Sequence, residues 1–426
     1  MKRSKVRVPA VTAAFLVVAG VAAPAVAAPG VVGSPAVVPG HGADGKVLHV
    51  RCDPARLVEA INQANTRAET LIVLAKGCTY SIDSERSGNA LPAMLQQITI
   101  DGNGATIKRA STAGSFRIME VETGGALTLR HLTLSGGHAA PGSGGGAVLV
   151  QKGGSLNLDT VTLKGNSGGD GSSANGGAIA NSGVTHIARS MLVDNTAYDG
   201  GAVYNDASGA LTVVDSHLLR NVATNTGGAL HLQARSVVEG STLNGNRANG
   251  NSGGAIYNFG GANLDLIDSV VDGNQAADDG GGIMNKGASI LTLRHTTVSN
   301  NTAHTFGGGL YIEGNALLED SKVQNNTATI ADGGGIYINV AQEVALRRSR
   351  VDGNRALAAS RRAGGVFIAD GSVTLTDTKV RRNTSQAEPG GIYNQGQVRT
   401  FGDLVVSENV PANCRGSQNP VPGCLD

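Results

Sequence analysis

The sequence predicts an all-β solenoid: a right-handed single-stranded parallel β-helix of about 12 coils with a short N-terminal capping helix. Two periodicities and a compositional bias predict it. A Gly-Gly-small-aliphatic motif recurs ten times, its small position at Ala147, Ala178, Ala202, Ala229, Ala255, Gly282, Gly309, Gly335, Gly365 and Gly391, at intervals of 24 to 31 residues. An Asn ends each repeat, at Asn166, Asn195, Asn221, Asn246, Asn274, Asn301, Asn326, Asn354, Asn383 and Asn409. Gly supplies 62 of 426 residues, Trp is absent and aromatic residues are 3%. A fixed period of this length marks a solenoid, and a core without large rings suits a narrow one turned often by Gly.

From the N-terminus, Lys2, Arg3, Lys5 and Arg7 precede an apolar run at 13–23, and Ala25-Val26-Ala27 gives the small-x-small pattern of a cleavage site. Residues 1–27 are therefore expected to be a secretory signal, and 28–46, rich in Pro, Gly, Val and Ala, a flexible leader. No later run is long and apolar enough to span a bilayer, so the mature chain is expected to be secreted and soluble, without a membrane span. Residues 47–97 read as a cap and first coils. Asp53 and Pro54 begin a helix as N-cap and first-turn residue, and Leu57, Ile61 and Ala64 share one face of it. That face can cover the open end of the solenoid, whose first strands start at 71–74 and 80–82.

The coils fill 98–409. In 253–274, strands are expected at 255–258, 263–267 and 269–271, with Ile256, Leu264, Leu266 and Val271 inward by period-two alternation. Each strand pairs with its equivalent one coil on, in parallel, and crossovers of this kind are right-handed. Three residues before each Asn stands an aliphatic residue, and five before it Ser or Thr in eight of ten coils. An inward Asn can satisfy a turn and also the Asn of the next coil, because an amide both donates and accepts. Asp215, Asp268, Asp320, Asp377 and Asp403 read as turn residues.

Four cysteines flank the array as Cys52 with Cys78 and Cys414 with Cys424, expected disulfides of the two caps, the second within 410–426. Neither pair has the His or further Cys of a metal site, so none is expected there.

The Gly-Gly-Ala-Ile and x-x-Asn pattern resembles polymorphic outer-membrane protein repeats within the pectate-lyase-like right-handed β-helix superfamily. The stretch Leu57-Val-Glu-Ala-Ile-Asn-Gln-Ala-Asn65 with Gly77-Cys-Thr-Tyr80 resembles the N-terminal cap of secreted bacterial β-helix proteins, as does the Cys-flanked tail. The adhesins of this repeat type end in a membrane barrel, whereas this chain ends soon after its last coil. The resemblance therefore implies a released or loosely surface-associated protein, and it carries over no catalytic residue.

A formal net charge of +1 gives no case for nucleic acid. Two residues after each small position an outward column reads Leu149, Ala180, Tyr204, His231, Tyr257, Met284, Tyr311, Tyr337, Phe367 and Tyr393. Beside it, three before the small position, runs a polar column that includes Asp199, Thr226, Asp279, Asp332, Arg362 and Glu388. Exposed tyrosines with carboxylates and Arg suit a polysaccharide or cell-surface glycan bound without catalysis by a monomer. For Asp332, Arg362 and Glu388 an ordinary salt-bridge network is the favoured reading. The alternative is a polysaccharide lyase or glycoside hydrolase, with Asp279, His304, Asp332, Arg362 and Glu388 as catalytic candidates. The resemblance implies Ca²⁺ and an Arg base for a lyase, and otherwise no cofactor. The lyase and polygalacturonase signature motifs are missing. A third reading is a structural spacer.

Overall fold

The corners of each coil are set by left-handed backbone. In one coil Gly253 (φ 73°), Asp268 (φ 49°) and Gly273 (φ 64°) occupy that region. At the middle corner, Asp215, Asp268, Asp320 and Asp377 all take φ between 47° and 50°, a conformation that Asp and Asn tolerate better than most residues. The fifth predicted turn residue, Asp403, is not left-handed; Gly402 takes its corner at φ 63°. The second Gly of the motif answers to a different constraint. A Cβ on Gly228 would overlap the carbonyl oxygen of Gly254 in the next coil.

The structure, a computed structural model, describes residues 46–426. The signal expected at 1–27 and most of the expected leader, 28–45, lie outside the described residues. Lys46, assigned to the leader by the sequence, opens the first strand, Lys46–Val50, which pairs in parallel with Thr70–Leu74. Between the corners of one coil run Ile256–Asn258, Asn263–Ile267, Val270–Asp272 and Gln275–Ala276. The sequence foresees three of these four. The second and third form two limbs of one sheet bent at Asp268, so the solenoid of about 13 turns has three faces, in sheets of 25, 11 and 7 strands. The 11-stranded sheet carries the Gly-Gly motif and the 7-stranded sheet holds the two-residue strands. Stacking is position on position: Ile256, Tyr257 and Asn258 lie against Ile283, Met284 and Asn285. The inward set is buried as expected, with Ile256, Leu264, Leu266 and Val271 at most 1% exposed.

The Asn column is a continuous hydrogen-bonded ladder. Asn246 Nδ2 donates to Asn274 Oδ1 at 3.0 Å and to the Leu218 carbonyl of the preceding coil at 3.0 Å. Its Oδ1 accepts from Asn221 Nδ2 at 3.0 Å and from the Asn221 backbone N–H at 2.9 Å. One side chain thus ties three coils together. The same pattern runs from Asn166 to Asn409, which passes it to Asn413 at 3.0 Å. A parallel hydroxyl ladder runs through the Ser/Thr column, where the backbone N–H of Ser190 donates to Ser216 Oγ and that of Ser216 to Ser241 Oγ, both at 3.0 Å.

At the N-terminal end, Asp53 Oδ1 accepts from Ala55 N at 2.9 Å and caps the helix Pro54–Ala64. Leu57, Ile61 and Ala64 are fully buried against the first coils. Cys52–Cys78 and Cys414–Cys424 are disulfides. Among the described residues no helix is long and apolar enough to cross a membrane.

The ladder makes a directional prediction. Asn246→Asp replaces a two-fold donor with an oxygen facing two acceptors and should cost about 3–5 kcal/mol, as an unpaired buried charge does. Asn246→Ser should cost less, about 1–3 kcal/mol for the groups left unsatisfied. Urea unfolding of both variants reads the difference. The Asp variant should recover as pH falls, since its buried carboxyl has a raised pKa and the protonated form can donate again.

A trough over the Gly-Gly sheet

With Ile256 and Asn258 turned into the core, Tyr257 must point out. The outward column is indeed separate from the core: Tyr257, Met284 and Tyr311 form one apolar cluster, and Phe367, Tyr393 and Ala363 another. The rings, however, are not exposed. Tyr393 is 2%, Tyr311 7% and Tyr257 9% accessible, while Tyr204 and Tyr337 are half-buried. The cause is the coil spacing of about 4.8 Å, which suits stacked rings. Ring centroids are 4.8 Å apart for Tyr204 and His231, 5.1 Å for Tyr311 and Tyr337, and 5.0 Å for Tyr337 and Phe367. Neighbouring side chains take up the ring faces. This corrects the expectation of five exposed tyrosines ready to stack on sugars.

The ring column runs between two polar columns, the rims of a strip along the solenoid axis. One rim is the polar column, and it is a capping ladder. Asp279 Oδ1 accepts the Phe306 backbone N–H at 3.0 Å, Asp199 Oδ1 that of Thr226 at 3.0 Å, and Asp332 Oδ1 that of Arg362 at 2.7 Å. Each carboxylate thereby satisfies the turn one coil on. The opposite rim follows each inward residue after the ring and includes Gln233, Lys286, Glu313, Asn339 and Gln395. Asn339 Nδ2 donates to the Tyr311 hydroxyl at 3.1 Å. Burial, then the Glu313 and Asp199 charges, pushes the Tyr257 phenol up to about 12. Burial likewise raises Asp279 and Asp332 above the ordinary carboxylate range.

The predicted charge network of Asp332, Arg362 and Glu388 does not assemble. The Arg362 guanidinium lies over the Tyr393 ring at 4.8 Å, Asp332 has Arg361 at 3.7 Å, and Glu388 pairs with Arg415 of the C-terminal cap at 2.5 Å. Long side chains chose partners off the column. His304 is exposed. Asp279 and Asp332 stand two coils apart with Phe306 between them, so the five catalytic candidates form no single cluster. The Ca²⁺ donor set of the lyase alternative does not fit either. Among the described residues no three acidic, His or Cys side chains converge, and Asp279 and Asp332 are engaged with backbone.

A different group does converge. Thr226 Oγ1 hydrogen-bonds to Asp199 Oδ1 and lies 2.8 Å from His231 Nδ1, and the Gln233 amide lies 3.4 Å from His231 Nε2. One arrangement satisfies all of these contacts: the hydroxyl donates to Asp199, Nδ1–H donates to the hydroxyl, and Nε2 accepts from Gln233. Burial holds the imidazole neutral, its pKa lowered to about 4 despite the nearby Asp199. The sequence showed His231 in the stripe; its offset of five from Thr226 was the signal for the contact. A second inward Asn column was also missed. Asn181 donates to Asn205 at 2.7 Å and Asn258 to Asn285 at 2.8 Å, and the Tyr-Asn dipeptides at 204–205, 257–258 and 393–394 were its trace.

Two predictions follow from burial. Tyr311→Ala should cost about 3 kcal/mol in urea unfolding, as large-to-small changes at buried rings do. His231 is ordinarily about 6.5 unfolded and about 4 folded, so between those values the unfolded chain binds the extra proton. Stability should therefore fall as pH drops through that window, by on the order of 3 kcal/mol. His231→Gln should remove that dependence, and carbon-detected NMR of the imidazole should show no protonation above about pH 5.

Residues 268–410 match the family described as a right handed beta helix region. No curated protein sequence matches the chain. Among solved structures, the periplasmic alginate epimerase AlgG superposes with a TM-score of 0.51 at 11% identity, over 84% of this chain and 85% of its own. A surface adhesin of Streptococcus pneumoniae, PfbA, covers 84% and 92% at 10% identity with a TM-score of 0.39. The in-register parallel coils, the matched segment and the epimerase superposition together show that the chain has a right-handed parallel β-helix fold.

Proposed function

We propose that this is a secreted protein whose ring strip holds a polysaccharide along the solenoid axis without cleaving it. The observation that carries the reading is the strip itself. Beside the half-buried Tyr204 and Tyr337, Asp199, Asp279 and Asp332 on one rim and Gln233, Lys286, Glu313 and Asn339 on the other place donors and acceptors along the solenoid axis. Sugar hydroxyls need such groups, and a linear polymer running along the axis meets them in succession. Recognition here rests on hydrogen bonds from the rims, not on sugar faces stacked against rings. The similarity to the alginate epimerase supports the reading only in that alginate is a polysaccharide.

A second reading, a polysaccharide-modifying enzyme, is favoured by the Asp199–Thr226–His231 chain. A neutral imidazole backed by a hydroxyl and a carboxylate can accept a proton at Nε2 once Gln233 moves aside, and Asp199 would then stabilise the cation. Asp279, Asp332, Arg362 and Glu388 would in that case bind substrate or cap backbone.

A panel of neutral and acidic polysaccharides separates the readings. Retention on the polymer without new reducing ends, unsaturated uronide absorbance or altered sugar signals in NMR supports binding alone. Products that vanish in His231→Gln support the enzyme. Neither retention nor products would leave the solenoid a spacer. Under the binding reading, Glu313→Gln with Lys286→Gln should weaken affinity about tenfold, as losing one or two charged hydrogen bonds does, with little change in stability.

A further inference from the structure

The second limb of the bent sheet carries an arrangement that the coil geometry disfavours. Lys322, Arg350 and Lys379 are direct partners in three consecutive coils. The same position in the six coils before is Thr162, Met191, His217, Thr242, Val270 and Thr297. Three cations thus stand in line at the coil spacing of about 4.8 Å, and like charges side by side on a sheet repel. Nearby carboxylates do not relieve them. Asp320 is held by Arg348 at 2.8 Å, Asp352 by Arg382 at 2.5 Å and only distantly by Arg350 at 3.7 Å, and Asp377 accepts the Asp403 backbone N–H at 3.0 Å. Among the described residues Lys322 and Lys379 have no acidic partner at ion-pairing distance. Both are exposed.

Two further observations point at a ligand. The ladder lines an open depression of about 340 Å³, together with Arg348, Ser321, Ser349 and the already engaged Asp320 and Asp377. The charge is local: residues 320–382 carry 10 Lys and Arg against 6 Asp and Glu, in a chain whose net charge is only +1.

We infer that the Lys322–Arg350–Lys379 ladder is a binding site for a linear polyanion, specifically an acidic polysaccharide with one carboxylate per sugar lying along the solenoid axis. Cations in single file on a flat sheet match a single extended chain with sparse, regular charge. A nucleic-acid duplex, with one charge per about 1.7 Å of axis, is several times denser than a ladder offering one cation per coil. The site is independent of the ring strip, being separated from it by the first limb on one side and the two-residue strands on the other.

The test uses the full secreted chain against immobilised polygalacturonate and alginate, with dextran as the neutral polymer and single- and double-stranded DNA as competing polyanions. The wild type should bind both polyuronates, more weakly as salt rises, and bind dextran less than either. Lys322→Gln, Arg350→Gln and Lys379→Gln combined should lower polyuronate affinity about tenfold or more, the equivalent of one charge-assisted hydrogen bond, and flatten the salt dependence. The triple variant should melt no lower than the wild type, because it removes repulsion. Arg247→Gln, an exposed cation on the 7-stranded sheet, should leave polyuronate binding unchanged. Polyuronate binding that is absent in the wild type, survives the triple variant, or falls as far in Arg247→Gln as in the triple variant overturns the inference. DNA bound as tightly as polyuronate, with the same loss in the triple variant, overturns the choice of ligand.

Discussion

Every strand in this solenoid has the same neighbour: the equivalent residue one coil away, in parallel and in register. That constraint governs the rest, because each position is stacked on its own kind. A side chain survives in a column if it can interact with copies of itself or with what the next coil offers. Amides can, since each donates to one neighbour and accepts from the other; hence the ladder from Asn166 to Asn409, which turns a buried polar residue from a cost into a tie across three coils. Hydroxyls can by accepting the next backbone N–H. Rings can by stacking at a spacing close to their own thickness.

Carboxylates cannot stack on carboxylates, and the chain deals with them in two ways. In the rim column Asp199, Asp279 and Asp332 are never adjacent, and each accepts a backbone N–H from the next coil. At the middle corner, acid alternates with base: Asp268, His295, Asp320, Arg348 and Asp377 follow one another, with His295 between two carboxylates and Arg348 paired to Asp320. These exposed pairs are worth little singly, but they prevent the repulsion that an uninterrupted column would build.

The same rule explains what the sequence could and could not reveal. Column membership follows from counting, so the inward set, the Asn ladder, the caps and the outward phase of Tyr257 and Tyr311 were legible. Burial of an outward residue was not, because alternation gives direction and says nothing of what lies beside a side chain along the axis. Tyr393 points away from the core and is still 2% exposed. Long side chains were the other blind spot. Arg362 and Glu388 share a column with Asp332, but their reach let one choose an aromatic face and the other the C-terminal cap. His231 was visible as a member of the stripe, while its link to Thr226 depended on how a turn folds back over the sheet.

Against that background Lys322, Arg350 and Lys379 are the exception among the charged columns. Elsewhere a charge meets an opposite charge, a backbone donor or a gap within one coil. Here a cation follows a cation twice, on a sheet whose other coils show that Thr or Val would serve the fold. The ring strip differs in kind: its polar groups are largely satisfied within the protein, by turn N–H groups, by Asn339 and by Thr226. A ligand there must compete with or extend existing hydrogen bonds, whereas an anion on the ladder relieves a repulsion already present. The first arrangement suits selective contact with neutral hydroxyls and the second suits capture by charge. A solenoid, which offers the same line of sites on each of its faces, is a fold in which one chain can carry both.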